Sequence, residues 1–88
     1  MGRWRNKRYL EWVCELPCSA CGGHGGYAHH VKGWGHFSGG ALKAPDWMTM
    51  PLCYECHLLT HAAPDDMPQA KWILDTLQRA FDEGIFGK

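Results

Sequence analysis

The chain has 88 residues, with nine Lys or Arg against nine Asp or Glu, and so a formal net charge of zero. A chain of this size buries only about 60–65% of its unfolded surface, so one small domain with a marginal core is expected. No run of about 18 apolar residues occurs, and the basic cluster Arg3, Arg5, Lys7, Arg8 is followed by Glu11 rather than by an apolar stretch; neither a helical membrane span nor a signal peptide is expected, and the cytoplasm is the expected location.

In chain order, residues 1–6 read as a basic, frayed arm. Residues 7–16 read as a short helix ended by Pro17, with Leu10, Val13, Tyr9 and Leu16 as its apolar face; packing and contact with DNA are its alternative uses. Residues 18–26, Cys18-Ser-Ala-Cys21-Gly-Gly-His-Gly-Gly26, form a turn in which glycine permits the positive φ of a metal knuckle. Residues 27–31 suit a short strand. Residues 32–47 are a glycine-rich loop, long for so small a domain, and loops of that length tend to be functional. Residues 48–52 suit a second strand, which Pro51 confines to a sheet edge or a strand end. Residues 53–62 read as a helix carrying Cys53, Cys56, His57 and His61. Residues 66–83 are the clearest helix, with Asp65 or Asp66 as cap, Pro68 near the first turn and Gly84 as the stop. Its core stripe is expected to be Ala70, Ile73, Leu74, Leu77 and Phe81.

Charge is unevenly spread. Four of the nine basic residues lie in the first eight positions, which leaves five basic and nine acidic residues, a balance of −4, in the rest. Lys32, Lys43 and the arm residues Arg3, Arg5, Lys7 and Arg8 are the candidates for phosphate contacts.

Five Cys and six His in so short a chain are the main chemical signal. In a reducing compartment that density favours metal over disulfides, and a small core gains most from such a staple. Cys18-x-x-Cys21 with Cys53-x-x-Cys56 supplies four thiolates at the spacing of a tetrahedral structural zinc site. Cys14 is left over, as a buried thiol rather than a ligand. The second constellation is His29-His30 with His57-x-x-x-His61. At 100° per residue His57 and His61 sit about 40° apart on one helical face, roughly 90° round from the face of the two cysteines. Adjacent strand residues point to opposite sides, so only one of His29 and His30 can join the helical pair; the other is placed nearby to act as a general base. An alternative grouping of Cys18 and Cys21 with His57 and His61 copies zinc-finger ligands, but the intervening 35 residues are too many for one finger. His24 is a substitute zinc ligand, a phosphate contact or a loop residue.

The stretch Ala28 to His61, with His29-His30, a Gly-rich loop, Asp46 and Leu52-Cys53-x-x-Cys56-His57-x-x-x-His61, resembles the HNH endonucleases of the ββα-metal class. It is most similar to the small phage and prophage nucleases of the Ref-like kind. The resemblance implies a small α+β fold: a ββα-metal, treble-clef-like core over residues 18–61, a four-cysteine zinc site, and flanking helices within a single domain over residues 1–88. It implies His30 as general base, and His29, His57 and His61 as ligands of a catalytic divalent ion. Asp46 stands where the family has Asn. An Asp there could accept from the His30 ring and fix its tautomer; the plain alternative is a turn residue after Pro45. The implied activity is metal-dependent hydrolysis of DNA to 5′-phosphate and 3′-hydroxyl ends; a monomer or weak dimer is expected, a monomer cutting one strand per event and a dimer able to convert nicking into double-strand cutting. By resemblance alone a recombination protein is a candidate partner. Imidazole ligands favour Zn²⁺, Ni²⁺, Co²⁺ or Mn²⁺, and Mg²⁺ gains only if Asp46 turns toward the ion. His36, Trp34 and Phe37 of the loop are candidate contacts to nucleic acid, His36 also facing the active site. The alternative to an enzyme is a zinc-stabilised nucleic-acid-binding module with the same fold and no catalysis.

Overall fold

The computed structural model describes residues 4–32 and 44–86. Arg3, Trp34, His36, Phe37, Lys43 and most of the expected long loop lie outside the described residues. The fold is a small α+β arrangement of three helices and a two-stranded sheet: α1 (Lys7–Cys14), β1 (Tyr27–His30), β2 (Thr49–Leu52), α2 (Tyr54–Ala62) and α3 (Gln69–Glu83), with a 3-10 turn at Pro64–Asp66. No helix among the described residues is long and apolar enough to cross a membrane.

Asn6 starts α1: its side-chain oxygen accepts the Tyr9 N–H at 2.9 Å, satisfying one of the donors a helix start leaves open. The helix ends at Cys14, two residues short of the expected end. Tyr9 and Val13 face inward, while Leu10 and Leu16 are only half-buried. Residues 4–6 are not a frayed arm. The Asp46 N–H donates to the Trp4 carbonyl at 2.9 Å, and Arg5 and Asn6 both reach Asp46. The sequence pattern could not show this, because the partner lies about forty residues away.

Strands β1 and β2 pair antiparallel with His29 opposite Met50 and His30 opposite Thr49. Both strands of a two-stranded sheet are edges, so Pro51 removes a donor the ladder can spare. Its carbonyl accepts the Ser19 N–H at 2.8 Å and ties the cysteine turn to the sheet. All four residues of β2 are buried. Met50 and Leu52 join Val31, Met48, Trp72 and Ile73 in the main core, and Tyr9, Val13 and Ala80 form a smaller one between α1 and α3.

The C-terminal helix differs from expectation in start and in facing. It begins at Gln69, and Asp65 and Asp66 sit in the preceding 3-10 turn instead of capping it. Gly84, in the left-handed conformation at φ 70°, closes it as expected. Its buried residues are Gln69, Trp72, Ile73, Thr76 and Ala80, whereas Leu74 and Phe81 are 64% and 66% exposed and Ala70 faces solvent. Of the expected stripe only Ile73 is fully buried; Leu77 sits at the margin. The helix is rotated because Trp72, larger than any residue of that stripe, takes the core position. Buried Gln69 spends its amide on backbone: Nε2 donates to the carbonyls of Lys32 (3.0 Å) and Pro64 (3.1 Å), and Oε1 accepts the Lys32 N–H at 3.0 Å. This fixes the end of β1 beside the site described next.

Candidate metal centre and histidine pair

Cys18 and Cys21 sit on a turn closed by Cys18 N–H to Gly23 O (2.8 Å) and Gly22 N–H to Cys18 O (2.9 Å). Gly22 has φ 76°, a conformation that a side chain would strain. Cys53 is the N-cap of α2 rather than its first residue, and its sulfur accepts the Cys56 N–H at 3.5 Å. The four sulfurs of Cys18, Cys21, Cys53 and Cys56 lie within 4.8 Å of one another, and Cys21 and Cys53 are 3.9 Å apart. Thiolates at 2.3 Å around a tetrahedral ion would be about 3.8 Å apart, so the cluster is the right size for one metal ion. None of the described cysteines is in a disulfide.

The electrostatics fit a cation. Burial raises the Cys18 thiol, but hydrogen bonds from the backbone of Cys21, Cys53 and Ala20 more than offset this and bring it to about 6. Burial and then the three neighbouring thiols push Cys56 up. Four sulfurs this close resist ionising together until a positive charge sits among them. Half-buried Cys14 and exposed His24 are outside the cluster.

The strand alternation separates the two adjacent histidines as expected. His29, 2% exposed, turns toward α2 and meets His57 and His61, which are one turn apart on that helix. Their ligand nitrogens lie within 4.8 Å of one another, with Nδ1 of His29 and Nδ1 of His57 3.0 Å apart. The three rings meet edge-on, with centroids 4.5–5.0 Å apart and planes 78–88° apart. Burial first, then the other two imidazoles, lowers His29 to about 3; burial, His61 and Lys32 also lower His57. Both shifts favour the neutral form that a metal ligand requires. The other ring nitrogen of His29, Nε2, is buried with no hydrogen-bond partner among the described residues. One nitrogen from each of the three rings lies within 4.8 Å of the others, close enough to share one cation, so the residues present fit a divalent ion.

His30 turns the other way. Its Nε2 lies 2.9 Å from Oδ1 of Asp46, which is 4% exposed. Burial acts to raise the Asp46 carboxyl, but hydrogen bonds from His30, the Asn6 N–H and Arg5 hold it below the usual carboxylate range. An ionised carboxylate only accepts, so His30 Nε2 carries the proton of that bond, which in a neutral ring leaves the lone pair on Nδ1. Asp46 is thus more than a turn residue. A cavity of about 150 Å³ is lined by Ala28, His29, His30, Lys32, His57 and His61, so His30 and the three-histidine cluster border one space.

Of the candidate phosphate contacts, Lys32 lies at this cavity. Arg5 is instead bonded to Asp46 and to the Ala44 carbonyl, at 3.1 and 2.7 Å. Lys7 and Arg8 are exposed on α1, and Arg8 borders a separate cleft with Trp4, Trp12 and Phe86. Sequence reasoning missed Asn6 and Gln69, and nothing local in their sequence marks them.

No curated protein and no solved structure gives a significant match. Residues 1–84 match a family described as "Protein of unknown function (DUF968)". Since that match spans nearly the whole chain, the protein belongs to the DUF968 family.

Proposed function

We propose that the protein is a metal-dependent endonuclease of the HNH type, with a ββα-metal core, that hydrolyses DNA phosphodiester bonds. The observation that carries this reading is the shared cavity: a carboxylate-held histidine and a three-histidine ligand set border the same small space, with a lysine at its rim. A purely structural zinc module needs the four cysteines and has no use for this second arrangement. The resemblance of Ala28–His61 to HNH nucleases points the same way.

The four-cysteine cluster would hold a structural Zn²⁺, for which an all-thiolate tetrahedral set is the customary site. His29, His57 and His61 would hold a catalytic divalent ion, with Zn²⁺, Ni²⁺, Co²⁺ and Mn²⁺ better matched to imidazole than Mg²⁺. When bound, that ion supplies positive charge to the scissile phosphate and to the departing 3′ oxygen. The chain's own groups do the rest. Neutral His30 takes a proton at Nδ1 from the attacking water, while Asp46 holds the opposite edge of the ring and stabilises the imidazolium formed. Lys32, its backbone fixed by Gln69, offers its ammonium to a phosphate oxygen. One base and one ion suit one strand cut per event.

The test is nicking of supercoiled plasmid by metal-stripped protein resupplied separately with Mg²⁺, Mn²⁺, Co²⁺, Ni²⁺ or Zn²⁺, beside His30→Ala. Metal-dependent nicking should fall by at least about 100-fold in the variant, the usual contribution of a general base. A folded, zinc-replete protein that binds DNA but cuts with no ion would overturn the reading in favour of a non-catalytic binding module.

A further inference from the structure

The basic N-terminal segment reads from sequence as a set of phosphate contacts, but Trp4, Arg5 and Asn6 are joined to residues 44–46. Trp4 O accepts the Asp46 N–H at 2.9 Å, and Arg5 Nη1 donates to Ala44 O at 2.7 Å. Both carboxylate oxygens of Asp46 are also taken from this side. Oδ1 accepts from Arg5 Nη1 at 3.1 Å as well as facing His30 Nε2 at 2.9 Å, and Oδ2 accepts the Asn6 N–H at 2.8 Å. The carboxylate therefore cannot rotate or withdraw from His30 without breaking bonds to the segment.

We propose that Arg5 is a positioning residue of the candidate active site, acting through Asp46 to hold the His30 ring with Nε2 protonated and Nδ1 turned to the cavity. The proposal rests on the nuclease reading for its consequence, but on the described hydrogen bonds for its geometry. Among the described partners of the Asp46 carboxylate, Arg5 alone brings a permanent positive charge. A carboxylate whose side chain is 6% exposed needs both a counter-charge and filled lone pairs to stay ionised and fixed. With Arg5 absent, the described partners left to the carboxylate are His30 at Oδ1 and the Asn6 N–H at Oδ2, and neither carries a permanent charge. The carboxylate then gains freedom to swing, and the imidazole that depends on it gains freedom to turn or change tautomer. The same Nη1 reaches a carbonyl and a carboxylate; a lysine ammonium preserves the charge, but its shorter side chain and different donor directions reproduce only part of that placement.

The role is distinguishable from a phosphate contact. A phosphate contact serves the bound substrate generally, so its loss raises KM and lowers the salt dependence of binding. A positioning role is felt at the reacting geometry, so its loss lowers kcat. The experiment uses the zinc-loaded full chain with Arg5→Ala and Arg5→Lys. It reads nicking kinetics against plasmid concentration, and the His30 tautomer by long-range ¹H–¹⁵N NMR. We expect kcat to fall about tenfold or more in Arg5→Ala with KM little changed, and to recover partly in Arg5→Lys. We also expect His30 to show the Nε2–H tautomer in the native protein, and mixed tautomers or faster Nε2–H exchange in Arg5→Ala. Zinc content and near-ultraviolet circular dichroism establish that the variants are folded; Arg5→Lys carries the test if Arg5→Ala is not.

Unchanged kcat with a raised KM, or an unaltered His30 tautomer in a folded variant, would overturn the proposal. A native protein inactive with every ion would remove the nuclease reading. The tautomer measurement would still decide whether Arg5 governs His30.

Discussion

Replacing Cys53 with Ser isolates the thiol cluster from the helix it begins. The Cys53 sulfur has two local tasks: it caps α2 by accepting the Cys56 N–H, and it lies in the four-sulfur cluster, 3.9 Å from Cys21. Serine is a good N-cap, so Cys53→Ser preserves the first task and removes the second. At about 0.05–0.15 kcal/mol per residue, a domain of this length has roughly 4–13 kcal/mol of total stability. A structural zinc site contributes about 10–16 kcal/mol at neutral pH, as much as or more than that total. The cluster joins the turn at Cys18–Cys21 to the start of α2, and Cys18 itself belongs to the main core. Losing one ligand should therefore leave the chain largely unfolded at 25 °C. The assay is far-ultraviolet circular dichroism and zinc quantification on the variant, with a parallel titration of the native protein by a strong chelator. The native protein should unfold as zinc leaves and refold when it is restored. A variant or a chelated protein that keeps a cooperative thermal transition near the native midpoint would refute the idea that an ion at this cluster holds the fold together.

Four further substitutions test the packing. Tyr9→Phe removes a hydroxyl that is buried without a partner among the described residues, so it should be neutral or stabilising by up to about 1 kcal/mol near pH 7. Burial raises Tyr9 from 10.0 to about 12, so the folded state favours the neutral phenol. That contribution is complete below pH 10 and is lost as the pH rises through about 12. Chemical denaturation between pH 9 and 12 should show a steeper alkaline loss in the native protein than in Tyr9→Phe, and parallel curves would contradict this. On α3, Ile73→Ala should cost about 2–5 kcal/mol, whereas Leu74→Ser should stay within about 0.5 kcal/mol and Phe81→Ser, which loses a ring contact to Phe86 at 5.1 Å, within about 1.5 kcal/mol. A large loss from Leu74→Ser in urea denaturation would mean that its exposed face is covered.

The features legible in the sequence were those whose chemistry is local. A two-residue gap brings a cysteine pair to one ion, and a three-residue gap puts His57 and His61 on one side of a helix. Strand alternation separates His29 from His30 whatever the sheet packs against. The parts that were not legible depend on distant partners. Arg5 in a basic arm has the sequence signature of a phosphate contact, and only a turn 39–41 residues away reveals its other use. The rotation of α3 is of the same kind. Ala70, Leu74, Leu77 and Phe81 make one helical stripe; Gln69, Trp72, Ile73, Thr76 and Ala80 make another. The size of Trp72 and the backbone bonds of Gln69 decide between them. The start of α3 was misplaced because Asp65 and Asp66 are good cap residues, but they sit in the separate turn at Pro64–Asp66.

The pairing of His29 with Met50 and His30 with Thr49 has a further consequence. A one-residue slip between two strands moves every side chain to the opposite face. Elsewhere in a protein that error costs packing. In β1 it would carry one histidine into the other's place and leave the vacated place to Val31 or Ala28, so either the His57–His61 pair or Asp46 would lose its ring partner. The two-stranded sheet guards against it from outside the strands: the Val31 N–H donates to Met48 O at 3.0 Å beyond one end, and the Gln69 amide grips Lys32 just past it. Val31, Lys32 and Gln69 thus hold the register that keeps the two histidines on opposite faces.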